Sequence, residues 1–77
     1  MYRTDYFDTS GFLRAVRERQ RGEDVSDREL ARHTGLHTTL VGLVLNGKRG
    51  LSLRTASALA VWADVSLDEY LLDGAPR

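Results

Sequence analysis

A chain of 77 residues, in which 11 basic and 11 acidic side chains leave a formal net charge of zero, has room for one small domain. Its stability would be on the order of 4 to 11 kcal/mol. The absence of cysteine excludes disulfides and thiolate metal sites. No apolar run reaches membrane-spanning length, and the opening MYRTDYFDTS lacks the apolar stretch of a signal peptide, so a soluble cytoplasmic protein is expected.

Zero net charge argues at first against a polyanionic partner, but the charge is unevenly placed. Between Leu30 and Ala63 there is no Asp or Glu, while Arg32, Lys48, Arg49 and Arg54 lie there with His33 and His37. Such segregation also arises by chance in short chains, so it supports a polyanion-binding face only beside other features.

Residues 1–7, with Tyr2, Tyr6 and Phe7 around Arg3 and Asp5, show no period and are expected to form an N-terminal arm. Arg3 is either a solvated terminal residue or a probe of a minor groove. The domain proper is placed at residues 8–72. Asp8, Thr9 and Ser10 are alternative N-caps for a first helix that carries Phe12, Leu13 and Val16 on one face and ends near Arg21-Gly22. Its Arg14, Arg17, Arg19 and Arg21 are expected on a solvated face, paired in part with Glu18 and Glu23.

Val25 then stands where a hydrophobic staple belongs, and Ser26 with Glu29 matches a capping box at the start of a second helix. Leu30 and Ala31 are its inward pair, Ala31 being small enough for close helix approach. Gly35 supplies the left-handed stop, and Leu36 plugs the turn. A third helix runs from His37 to Leu45 with Val41 and Val44 inward, and Asn46-Gly47 ends it. Two short helices joined by a Gly-containing turn read as a helix-turn-helix over residues 26–46. Ser52 caps a fourth helix with Ala56, Leu59, Ala60 and Ala63 inward, Val61 and Trp62 off that stripe, and Arg54, Thr55 and Ser57 wetter. Ser66 caps a last helix packed through Leu67, Tyr70 and Leu71, and residues 73–77 form a tail.

Ala31, Gly35, Leu36, Val41, Val44 and the closing Asn46-Gly47-Lys48-Arg49, followed by Leu53, Ala56, Leu59, Ala60 and Val65-Ser66-Leu67-Asp68-Glu69, resemble the lambda-repressor-like, Cro-type family of phage and bacterial regulators. The likeness covers roughly residues 12 to 72. It implies an all-α, compact five-helix domain that binds double-stranded DNA through the helix-turn-helix, with base edges reached from Thr38, Thr39, Gly42 and Leu43 and phosphates met by His37 and Asn46. The residues themselves add that Lys48 and Arg49 follow a helix end, where flexible cations reach phosphates, and that Ser26 and Arg28 sit at a helix start whose amides favour an anion. The third helix carries no Arg, Gln or Asn on its outward face, so bidentate base discrimination is absent from it, and groove shape and neighbouring Arg residues are expected to contribute specificity. The bland alternative for Leu43 is core or an interface.

Two positions depart from the family pattern. Asp27 stands where Gln is frequent; a carboxylate there repels phosphate and serves the helix dipole instead. Leu45 stands where Glu often pairs with an Arg of the first helix, which leaves the pairing of Arg17 open.

An enzyme is not expected: the chain has no phosphate-binding glycine loop, no Cys nucleophile and no setting for buried paired carboxylates. His33 and His37 are spaced four apart, but Gly35 interrupts the helix between them and no third ligand is evident, so no metal, cofactor or small-molecule ligand is expected. The reading is a transcriptional repressor, of phage Cro or immunity type, that occupies operator DNA as a homodimer, with Val61, Trp62, Tyr70 and Leu72 as the dimer surface. The alternatives are a protein-interaction module such as an antitoxin-like regulator, which would use those same apolar residues, and a phage recombination accessory protein, which would share the DNA site.

Overall fold

The computed structural model describes residues 7–72, and these fold into α1 (Thr9–Glu23), α2 (Asp27–Thr34), α3 (Thr38–Leu45) and α4 (Leu53–Ala63), followed by a single 3-10 turn over Leu67–Tyr70. The arm residues 1–6 and the tail 73–77 lie outside the described residues, and Arg3 with them.

Each helix starts on a side chain able to satisfy an orphan amide. Of the three candidate caps for α1 it is Asp8 that acts, its Oδ1 accepting from the Gly11 N–H at 3.0 Å. The capping box of α2 is complete: Ser26 Oγ accepts from the Glu29 N–H at 3.1 Å, and Glu29 Oε1 accepts from the Ser26 N–H at 3.3 Å. Ser52 Oγ accepts from the Thr55 N–H at 3.2 Å to open α4, and Ser66 with Glu69 forms a second capping box at the 3-10 turn. The stops follow the same logic. Gly35 is left-handed at φ +74°, and the Leu36 N–H returns to the Ala31 carbonyl at 3.0 Å. Two stops use aspartate instead: α1 runs a residue past Gly22 to Glu23 and closes on Asp24 at φ +54°, and α4 closes on Asp64 at φ +58°.

The core is the set of inward faces meeting. Phe12 and Val16 of α1, Leu30 and Ala31 of α2, Val41, Val44 and Leu45 of α3, and Ala56, Leu59, Ala60 and Ala63 of α4 are all buried. α2 packs chiefly on α3 across the tight turn, and α4 packs on α1 and α2. Ala31, 2 % exposed, leaves no room for a larger side chain at that crossing.

Three expectations are corrected here. The last element is one 3-10 turn rather than a fifth α-helix; with only four residues before Leu71 turns extended (φ −76°, ψ 131°), there is no length for an α-helical ladder. Phe7, placed at the end of an arm whose aromatics could order it in part, belongs to the core. It is 3 % exposed, bridges Leu71 in antiparallel fashion, and its ring lies 5.8 Å from that of Phe12 and 6.4 Å from that of Tyr70. Thr55, expected to be wet, is 4 % exposed, because its hydroxyl is taken up by Ser52 Oγ at 3.0 Å and its methyl can then join the apolar stripe.

Candidate nucleic-acid interface

α3 is the element on which the expected reading residues stand. With Val41, Val44 and Leu45 inward, Thr38 and Thr39 are exposed, while Gly42 and Leu43 are half-buried. His37 caps the helix: its Nδ1 accepts from the Thr39 N–H at 3.3 Å, which leaves Nε2 as the donor of the ring. At the other end the Lys48 N–H donates to the Leu43 carbonyl at 2.8 Å, so the backbone that carries Lys48 and Arg49 is tied to the helix while both side chains remain exposed.

Cations are gathered at both ends of α3. A groove between α2 and α3 is lined by Arg28 and Arg32 together with Glu29, Ala31, Leu36 and Thr38, and another brings Arg14 and Arg17 of α1 beside Leu45, Asn46 and Gly47. Lys48 and Arg49 share a third with the cap Asp8, with Thr9 and Ser10 of α1, and with Leu72. Arg14 is expected on a solvated face and the pairing of Arg17 is open from sequence; what brings both to α3 is the packing of α1, which no local pattern encodes. Of the expected pairs on that face, Arg19–Glu23 forms.

Arg17 finds its partners elsewhere. One guanidinium nitrogen donates to Asp27 Oδ1 at 2.6 Å and to Gln20 Oε1 at 3.1 Å, and the other donates to Asn46 Oδ1 at 3.1 Å. Gln20, 5 % exposed, also donates to Asp27 Oδ1 at 2.8 Å and to the Val25 carbonyl at 3.4 Å. This cluster joins the end of α1, the start of α2 and the end of α3. It answers both departures noted in the sequence: with Leu45 buried in place of an acid, Arg17 turns to Asp27 and Asn46, and Asp27 is neutralised rather than left facing a phosphate. Asn46, expected at phosphate, commits its carbonyl oxygen to Arg17 and keeps its amide N–H groups. Gln20 was missed, although Phe12, Val16 and Gln20 share one helical stripe (i, i+4, i+8), the signal that could have found it.

The start of α2 is more acidic than a phosphate site prefers. Ser26 Oγ is also within 3.2 Å of Glu29 Oε1, so the hydroxyl expected to meet a phosphate is spent inside the capping box. Hydrogen bonds from the Ser26 backbone N–H and hydroxyl, with Arg32 and His33 nearby, hold the Glu29 carboxyl below the usual carboxylate range. Arg28 is the exposed cation of this turn.

On the apolar side, Trp62 and Tyr70 pack against the core, the Tyr70 ring 5.5 Å from that of Phe12. Val61 and Leu72 remain outside, 83 % and 41 % exposed, with Leu53 at 44 %. No helix among the described residues is long and apolar enough to cross a membrane. Comparison with protein-family models, with curated proteins and with solved structures finds no match to this chain.

Proposed function

We propose that this protein is a sequence-specific DNA-binding repressor of the lambda-repressor-like, Cro type, whose α2 and α3 form a helix-turn-helix. The observation that carries the reading is the acid-free α3, exposed through Thr38 and Thr39, with Arg28 and Arg32 beside Glu29 at its start and Arg14, Lys48 and Arg49 near its end. A helix of this kind enters a major groove while cations at its two ends meet the phosphates that border it. In this reading Thr38, Thr39, Gly42 and Leu43 approach base edges. Arg28, His37, Asn46, Lys48 and Arg49 hold the backbone, with Ser26 a lesser contact. Arg14 joins them from α1. A chain of zero net charge binds DNA in this way because the relevant charge is local. Repression rather than activation is what the resemblance implies, by occupancy that excludes polymerase without any catalytic step. The exposed Val61 suits either a second copy of the chain on the same DNA or the protein partner of an antitoxin-like regulator, whereas Leu72 lies beside Lys48 and Arg49.

The test is selection of duplexes from a random pool by the purified full chain. A single enriched motif is expected, bound with an affinity that falls as salt rises by about 0.9 log units per log unit of salt for each phosphate neutralised. A pool that emerges unenriched, with no duplex retained at low salt, would leave the protein-interaction reading in its place.

A further inference from the structure

The chemistry of α3 narrows what a DNA site must offer, an inference that rests on the proposed function and deepens it. The whole helix, TTLVGLVL, contains no charged or amide side chain. Its outward hydrogen-bonding groups are two threonine hydroxyls, and a hydroxyl both donates and accepts, so it discriminates poorly among bases. The remaining outward surface is apolar: the methyls of Thr38 and Thr39 and the side chain of Leu43.

Leu43 carries the argument furthest. It is half-buried, yet it stands outside the group of partly buried residues, Leu40 among them, that pack on the core. It is thus an apolar side chain on the candidate interface that is partly covered by its neighbours but stands apart from the buried cluster. Beside it, Gly42 is a helical glycine without a structural reason: its φ is not left-handed, and a Cβ there would enter open space. Glycine in a helix interior costs stability relative to alanine. What it provides at this position is a notch between Thr38 and Thr39 on one side and Asn46 on the other, where a surface can come close to the α3 backbone.

In the major groove the apolar feature that differs between base pairs is the C5-methyl of thymine. We infer that α3 reads pyrimidine C5-methyl groups, through Leu43 and the threonine methyls with Gly42 permitting the approach, so that thymine is bound better than uracil and 5-methylcytosine better than cytosine. Cytosine methylation would then create binding sites for this protein instead of blocking them.

The experiment uses the wild-type chain and a duplex that it has itself selected. Each thymine in the footprint is replaced by uracil, and, in a second set, each T·A pair is replaced by C·G with the cytosine either unmodified or 5-methylated. Removal of a methyl is expected to weaken binding about fourfold per contacted position, and 5-methylcytosine to recover most of what cytosine loses. Leu43→Ala should weaken binding and bring thymine and uracil level at the positions Leu43 contacts, while positions met by the threonine methyls keep their difference and the salt slope, set by the cations, stays that of the parent. Equal affinity for thymine and uracil duplexes overturns the inference and leaves DNA binding standing, as does cytosine methylation without gain. Failure to retain any duplex removes the proposed function itself.

Discussion

At the scale of single residues, the proposed function divides the interface into groups that would touch bases and groups that would touch phosphates, and the two would fail differently. Thr39 is exposed on α3 and Arg49 lies in the loop that follows it. Thr39→Ala is expected to change the sequence preference, measured by repeating the selection. Arg49→Ala is expected to weaken all sequences alike and to lower the salt slope by about one unit. If both variants bound the selected duplex as the parent does, the assigned face would be wrong. Glu29 has a separate signature. Its carboxyl is held below the ordinary range by Ser26, so its contribution is present above the unfolded-state pKa and is lost as pH falls through the depressed folded value. Glu29→Gln should therefore melt below the parent at neutral pH, with the gap closing in acid. A gap that does not change with pH would mean that the charge of Glu29 plays no part in the cap.

Between elements, the decisive contacts are the tight α2–α3 turn and the polar cluster on Arg17. Gly35 has φ +74° and open space around its missing Cβ, so crowding is no objection to a side chain there and backbone strain is. Gly35→Val is expected to cost more than Gly35→Asn, since asparagine tolerates the left-handed region and a β-branched residue does not. Ala31→Leu should overpack the crossing by roughly 1 to 3 kcal/mol, a large share of the stability of so small a domain. Thermal melting of the three variants checks the order. Parental melting for both Ala31→Leu and Gly35→Val would contradict the close approach. The Arg17 cluster is a different kind of tie. Arg17 and Asp27 are about one third exposed (31 % and 33 %), so their ion pair is worth about 1 kcal/mol or less. Its part in the proposed function is to orient Asn46 and to keep the carboxylate of Asp27 turned to a cation.

For the whole molecule, the proposed function raises the question of how a domain with one eight-residue helix in the groove would read enough DNA. One such helix covers only a few base pairs, and a twofold dimer doubles the site, setting its two helices about 34 Å apart along the duplex. Trp62 and Tyr70 pack within the chain, so Trp62→Ala should lower stability whatever the oligomeric state. Val61, 83 % exposed, separates the cases. Val61→Glu should leave melting of the free protein close to the parent and abolish cooperative filling of a two-half-site duplex, read as stoichiometry by sedimentation of the complex. Two protomers bound cooperatively by Val61→Glu would exclude Val61 from the interface, and one protomer per full site in the parent would exclude the dimer.

Local chemistry is written directly in this chain. The serine caps, the Gly35 stop, the inward stripes of α2, α3 and α4, and the acid-free span around α3 follow from short-range spacing, because caps, turns and helical periods involve residues no more than a few positions apart. The resemblance to a repressor family rests on that local pattern and gives the proposed function its specific form. Other features exist only once the helices have packed. Phe7 is drawn into the core by Phe12, Tyr70 and Leu71, and the last element shortens to one 3-10 turn. Arg17 reaches Asp27, ten positions away, and Asn46, twenty-nine away, while Arg14 comes to the end of α3. Long side chains such as arginine take their partners from whichever element the core brings within reach, and that choice is settled by the placement of apolar faces elsewhere in the chain.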